Sequence, residues 1–184
     1  MNALLIVDVQ NDFCTGGALE VKEGELVVPV INNLIPLFPT VIASMDWHPA
    51  GSIHFEKWPP HCVRQTQGAN LHPDLNVDYI EKIFLKGTES ADDGYSAFEA
   101  TNYDLEKYLK EKGIENLYVA GLATDYCVKI SVLDALKAGF KTFVFTDAVR
   151  AVNVQPEDGH KAIELMIEAG AKFITSKEFS EPGI

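Results

Sequence analysis

Leu117-Tyr118-Val119-Ala120, running into Gly121-Leu122-Ala123-Thr124-Asp125-Tyr126-Cys127, is the stretch on which the fold turns. Four consecutive apolar residues, too few for a helix, read as a strand buried on both faces. The next stretch, from about Asp125 to Ala138, reads as a helix, with Gly139 to close it. A buried strand feeding a helix is the unit of a parallel α/β sheet. It also sets Cys127 in a first helical turn, where free backbone N–H groups and the helix dipole favour a thiolate. The bland alternative is a small buried hydrophobe, the usual role of a free cysteine.

The same alternation extends in both directions. Strands are expected at Leu4–Val9, Thr40–Met45, Tyr79–Leu85, Thr142–Phe145 and Ala171–Ile174. Helices are expected from about Val28 to Phe38, around Leu105, Tyr108 and Leu109 up to Gly113, and from Pro156 to Gly170. The expectation is one α/β domain over 1–184, a doubly wound parallel sheet of six strands with helices on both faces. In such sheets ligands bind at the carboxyl ends of the strands. There the sequence puts Asp8, Asp46, Lys86, Asp147 and the turn that carries Cys127. Any one of these could be a cap or a solvated strand end. A carboxylate, an ammonium and a thiol on one rim suggest chemistry.

Residues 47–78 show neither helical nor strand period, and so long a loop in a compact domain is usually functional or disordered. Its Trp, His and Pro content argues against disorder. Four of the five histidines (His48, His54, His61 and His72) lie in or beside it. Asp46-Trp47-His48, then His54, then Trp58-Pro59-Pro60-His61-Cys62 offer the carboxylate and imidazoles that suit a divalent metal with an open position. Histidines that only hydrogen-bond are an equal alternative on composition. His72 and His160 read as structural or exposed.

Composition closes other routes. The 184 residues carry a formal charge of -12 and no basic stripe or zinc-finger spacing, so no nucleic-acid or membrane partner is expected. No apolar run approaches the roughly 20 residues of a bilayer span. Met1 to Asp8 lacks a basic leader and reads as a strand instead of a signal peptide, so a cytoplasmic location is expected. Cys14, Cys62 and Cys127 form no CxxC pair and are expected as free thiols. Leu133 stands where a C-x5-R phosphatase loop needs arginine, and no GxGxxG or GxxxxGK[ST] is present.

Six motifs in this order, Asp8-Val9-Gln10-Asn11-Asp12-Phe13, Asp46-Trp47-His48-Pro49, Trp58-Pro59-Pro60-His61-Cys62, Lys86-Gly87, Tyr95-Ser96-Ala97-Phe98 and Gly121 to Cys127, resemble the nicotinamidase/pyrazinamidase family of the isochorismatase-like cysteine hydrolase superfamily. The resemblance spans essentially the whole chain. It implies sheet order 3-2-1-4-5-6, catalytic Asp8, Lys86 and Cys127, and oxyanion donors at the Ala123 and Cys127 amides. It further implies a cis peptide between Leu122 and Ala123. Asp46, His48 and His61 would be metal ligands, with His54 where some members supply another. Phe13, Trp58 and Tyr95 would line the ring pocket. The implied cofactor is one divalent ion, zinc first, with iron or manganese as alternatives. The implied reaction is hydrolysis of a small-molecule amide, nicotinamide, to nicotinic acid and ammonia through a cysteine thioester, in NAD salvage. Pyrazinamide is an expected second substrate. A homo-oligomer is compatible with this family. Isochorismatases share the sheet but lack the cysteine and the metal cluster. Carbamoyl and ureido amidases generally lack the metal set. The chain is short for the family, which bears on substrate breadth. Two other readings stay open: a cysteine amidase for another small amide, and a non-catalytic homologue that binds metal or ligand.

Overall fold

The computed structural model describes residues 1–91 and 94–180. Six strands, β1 (Asn2–Val7), β2 (Val41–Asp46), β3 (Lys82–Lys86), β4 (Asn116–Leu122), β5 (Lys141–Arg150) and β6 (Lys172–Ile174), form one sheet of order β3-β2-β1-β4-β5-β6. Every neighbouring pair is parallel, as the continuous apolar runs and intervening helices require. Central β1 pairs Leu4 with Val41 on one side and Tyr118 on the other.

Alternation along β1 sorts the core into two layers. Leu4 and Ile6 pack with α1 (Val27–Leu34) and with an aromatic group that includes Phe38, Tyr118, Phe145 and Phe179. Ala3, Leu5 and Val7 point to the other face, which is covered from α2 (Leu105–Glu111), α3 (Lys129–Lys137) and α4 (Asp158–Glu168). Among the described residues no helix is long and apolar enough to cross a membrane.

The element boundaries differ from the sequence expectation for local reasons. β1 ends at Val7 because Asp8 takes a left-handed φ of 49°. Pro36 has no N–H to donate, so α1 stops at Leu34 and the chain tightens into a 3₁₀ turn over Ile35–Leu37. β3 starts at Lys82, opposite Ile42 of β2, and Tyr79, where the strand was expected to begin, instead closes a separate 3₁₀ turn over Val77–Tyr79. α4 begins at Asp158, two residues after Pro156. The helix expected from Asp125 instead opens with a wide turn in which Val128 N–H donates to Ala123 C=O, and α3 proper starts at Lys129. A short helix not expected from the sequence, α5 (Ser176–Ser180), follows β6.

Two irregularities shape the catalytic-looking rim. Across β4 and β5, Val119 pairs with Val144 but Gly121 with Val149, so two steps on one strand answer five on the other. This bulge takes Asp147 away from the rim. Its carboxylate accepts the Ser176 N–H at 3.0 Å and ties β5 to α5, so Asp147, expected at the carboxyl end of its strand, lies within β5 instead. Gly121 itself has φ +122°, and a Cβ there would stand 2.0 Å from Val7 C=O. Only glycine lets β4 run this close to β1 just before the strand ends that bear Asp8 and Cys127. Gly121→Ala is therefore expected to cost about 3 kcal/mol of stability through backbone overlap and a forbidden φ. Denaturant unfolding measures this, and a loss under about 1 kcal/mol would show that the close approach is not required.

Candidate active site

Three strand ends and one turn converge on a buried ammonium. Lys86, last residue of β3, has its Nζ 2.8 Å from Asp8 Oδ2, 2.7 Å from Gly94 C=O and 3.4 Å from Cys127 Sγ. It also makes a close ion pair with Asp46 Oδ1. Lys86 and Asp8 are wholly buried and Cys127 nearly so. Ser44, one strand over, donates its hydroxyl to Asp8 Oδ1 at 2.7 Å. Among the described residues Asp8 Oδ2 finds no hydrogen bond of good geometry and keeps an open lone pair. The Cys127 sulfur lies within 4.8 Å of a carboxylate oxygen of Asp8. The structure thus brings Asp8, Lys86 and Cys127 together, and the Leu122–Ala123 peptide is cis.

Burial sets the proton inventory. It pushes the Cys127 thiol well above its ordinary range, and the neighbouring Lys86 charge offsets only part of this. The pull of the turn amides and of the ammonium toward a thiolate is thus opposed by desolvation, which leaves the sulfur a proton to give up. Burial also raises Asp8, against the pull of Lys86, to about 6. Burial would lift Asp46 too, but Lys86 and His48 outweigh it and hold that carboxyl below the usual range. Burial pulls the Lys86 pKa down, but Asp46 and Asp8 reverse the effect and keep it an ammonium. At neutral pH the cluster is a thiol, two carboxylates and an ammonium.

Beside it stand the histidines. Ring nitrogens of His48, His54 and His61 lie within 4.8 Å of one another, all buried. His48 Nδ1 meets Gly87 C=O at 2.9 Å and His61 Nδ1 meets Pro59 C=O at 2.8 Å. A carbonyl only accepts, so each Nδ1 carries the proton and each Nε2 presents a lone pair. Those Nε2 atoms are 3.6 and 3.8 Å from Asp46 Oδ2. His48 Nε2 is buried without a hydrogen-bond partner among the described residues. Burial also lowers the His61 pKa and keeps that ring neutral. Ligand atoms about 2 Å from one centre stand about 3–4 Å apart, so three imidazoles and a carboxylate fit one divalent ion here. Gly87 is fitted to this: φ is +61°, and a Cβ would come within 2.4 Å of the His48 ring.

A cleft of about 420 Å³, measured to its open mouth, joins the two clusters. Phe13, Trp58 and Tyr95, which the family resemblance implies as ring-pocket residues, are among its lining. Trp58 Nε1 donates to Tyr95 Oη at 3.2 Å, which fixes both rings. Leu19, Tyr126 and Val152 complete the wall and were not singled out from the sequence. Nor were roles found for Ser44, Gln10 or Asp125. Gln10 clamps the Asp46 backbone at both N–H and C=O, 2.8 Å each. Asp125 accepts the Val152 and Asn153 amides at 2.9 and 2.8 Å and so holds the β5 exit against the cysteine turn. The one sequence signal was polarity out of place, as with Ser44 in the apolar run of β2. Cys14 and Cys62 are buried free thiols outside the cluster, as expected, and His160 is exposed.

Fold and site together define a class: an open parallel α/β hydrolase with thiol, carboxylate and ammonium at the strand ends beside a metal-type histidine cluster. The chain belongs to the Isochorismatase domain family, which matches residues 2–178. A nicotinamidase of Escherichia coli (strain K12) is 43% identical, with 97% of each chain covered. The solved pyrazinamidase of Pyrococcus horikoshii in complex with zinc is 41% identical at a TM-score of 0.86, covering 95% of this chain and 98% of that one. A protein from L. infantum solved in complex with nicotinate is 33% identical at a TM-score of 0.90, covering 96% and 93%.

The proton inventory gives a pH test. A role for Asp8 as acceptor of the thiol proton would require it ionised, and predicts that kcat/KM for amide hydrolysis is half-maximal near pH 6, reaches its plateau above that and falls about tenfold per unit below it. Ser44 lowers the Asp8 pKa by donating to the carboxylate. Ser44→Ala should therefore move the acid limb of the profile to higher pH, with Ser44→Thr restoring it. An unmoved limb in Ser44→Ala would separate Asp8 from the rate.

Proposed function

We propose that this chain is a nicotinamidase, which hydrolyses nicotinamide to nicotinic acid and ammonia. The observation that carries the reading is that Cys127, Asp46, His54 and His61 open into one aromatic-walled pocket. A group that attacks a carboxamide and a group that can bind a ring nitrogen thus face a single flat substrate. The 43% identity to the E. coli nicotinamidase and the nicotinate held by the L. infantum protein support the same substrate class.

In this mechanism Asp8 Oδ2 takes the Cys127 proton as the sulfur attacks the carboxamide carbon. The Ala123 and Cys127 amides hold the oxyanion, each such donor contributing about 3 kcal/mol. Asp8 returns the proton to the nitrogen, the C–N bond breaks, and ammonia leaves a thioester. Asp8 then deprotonates a water that attacks the thioester carbon. The C–S bond breaks, nicotinic acid departs, and the sulfur recovers a proton. Lys86 stays charged throughout, orients Asp8 and offsets the negative charge that passes between oxygen and sulfur. Phe13, Trp58 and Tyr95 sandwich the ring. His48, His54, His61 and Asp46 would hold a divalent ion, for which we take zinc on the imidazole–carboxylate donor set and on the zinc bound by the P. horikoshii relative. Such an ion supplies an open coordination position for the pyridine nitrogen.

Ammonia release tests the reading. Cys127→Ala and Asp8→Asn should each lose on the order of 10⁴-fold or more in turnover while remaining folded, and Cys62→Ser and Cys14→Ser should keep most of it. Acid quench should leave a nicotinoyl adduct on the Cys127 peptide. Benzamide, with the same shape but no ring nitrogen, should be a far poorer substrate, and chelation should shrink the gap between the two. Full turnover in Cys127→Ala, or equal rates on both amides, would sink the proposal.

A further inference from the structure

Asp12 lies outside the group around Lys86, yet three segments meet on it. Its Oδ2 accepts the Cys62 N–H at 2.7 Å, and its Oδ1 accepts the Ala18 N–H at 3.2 Å. Its backbone N–H donates to Gly68 C=O at 3.0 Å, and its C=O accepts from Leu19 N–H at 2.9 Å. Gly68 presses on the carboxylate so closely that a Cβ there would be 2.1 Å from Oδ2.

The Cys62 contact has the longest reach. Cys62 is covalently next to His61, and its C=O accepts the His48 N–H at 3.0 Å. Its φ is +44°, a left-handed conformation that a residue with a Cβ holds only when its surroundings impose it. A carboxylate accepting that amide is a charge-assisted bond, about twice as strong as a neutral one. The same carboxylate, through Ala18, and the same backbone, through Leu19, anchor the segment that carries the pocket residues Phe13 and Leu19.

We infer that Asp12 is the positioning residue that sets two histidines of the metal cluster and one wall of the ring pocket in register. The inference rests on the reading that His48, His54, His61 and Asp46 hold a divalent ion. Asp12 makes no hydrogen bond to Asp8, Lys86 or Cys127 among the described residues, so its loss should fall on metal and ring binding and spare the chemical step.

The test is the zinc affinity of the full chain, measured by competition against a chromogenic chelator. Outer residues that orient metal ligands typically cost 10–100-fold in affinity when removed, and Asp12→Ala should weaken zinc binding by about that factor. Asp12→Asn, which keeps the shape and one acceptor oxygen, should lose less, in the same direction. With zinc saturating, Asp12→Ala should raise KM for nicotinamide while kcat stays close to that of the wild type. Should Asp12→Ala not fold, the Asn variant carries the test, together with hydrogen exchange at the Cys62 amide, expected to be slow in the wild type. Wild-type zinc affinity in both variants, a loss confined to kcat, or fast exchange at Cys62 would overturn the inference. A wild-type chain that binds no zinc would overturn the metal reading and this inference with it.

Discussion

A buried ammonium is the constraint on which the rim of this sheet depends. Lys86 Nζ has three hydrogens and four acceptors within reach: Asp8, Asp46, Gly94 C=O and Cys127 Sγ. An uncompensated charge in such a place costs several kcal/mol, so each neighbour is held to its position by the cost of leaving it. Because these neighbours end β1 and β2 and open the turn after β4, one side chain relates three segments that are far apart in the chain. Asp46 faces both ways, with Oδ1 on Lys86 and Oδ2 toward His48 and His61. The charge cluster and the histidine cluster thus share a residue.

Such a centre needs a stiff surround, and here it is made of single polar side chains that bind backbone. Gln10 clamps the Asp46 peptide, Asp12 holds the Cys62 and Ala18 amides, and Asp125 holds the Val152 and Asn153 amides. Each satisfies N–H groups, at the end of β2 or in loops, that the ladders and helices do not reach. The 47–78 loop, for all its length, is fixed by these bonds and by short bridges such as His48 to Val63.

Burial also decides how the thiol is kept. A thiolate at rest beside a metal-type cluster would compete as a ligand and oxidise readily. Here desolvation favours the protonated thiol at Cys127 and lifts Asp8 to about 6, so the carboxylate proposed as base has an affinity for the proton nearer to the working pH. In the proposed mechanism transfer becomes favourable as substrate charge develops, when the ammonium and the turn amides can stabilise it.

Much of the fold could be read from the chain: six apolar runs, the helices between them and the glycines that close α2 and α3 all emerged, because period and turn chemistry are local properties. The boundaries went astray where one residue overrode the pattern, as at Pro36 and at Asp8. Asp147 was misplaced because a bulge is a relation between two strands and leaves no mark on either alone. Asp8, Lys86, Cys127 and the histidines were legible through their motifs, but the depth at which the cysteine lies was not, since burial comes only from packing. The side chains of Ser44, Gln10 and Asp12 find their partners 36, 36 and 50 positions away. A sequence fixes which groups a chain owns and how each short stretch bends. Which of them lose their water, and whom they then meet, is decided only when distant segments pack, because desolvation and Coulomb forces act through space and not along the chain.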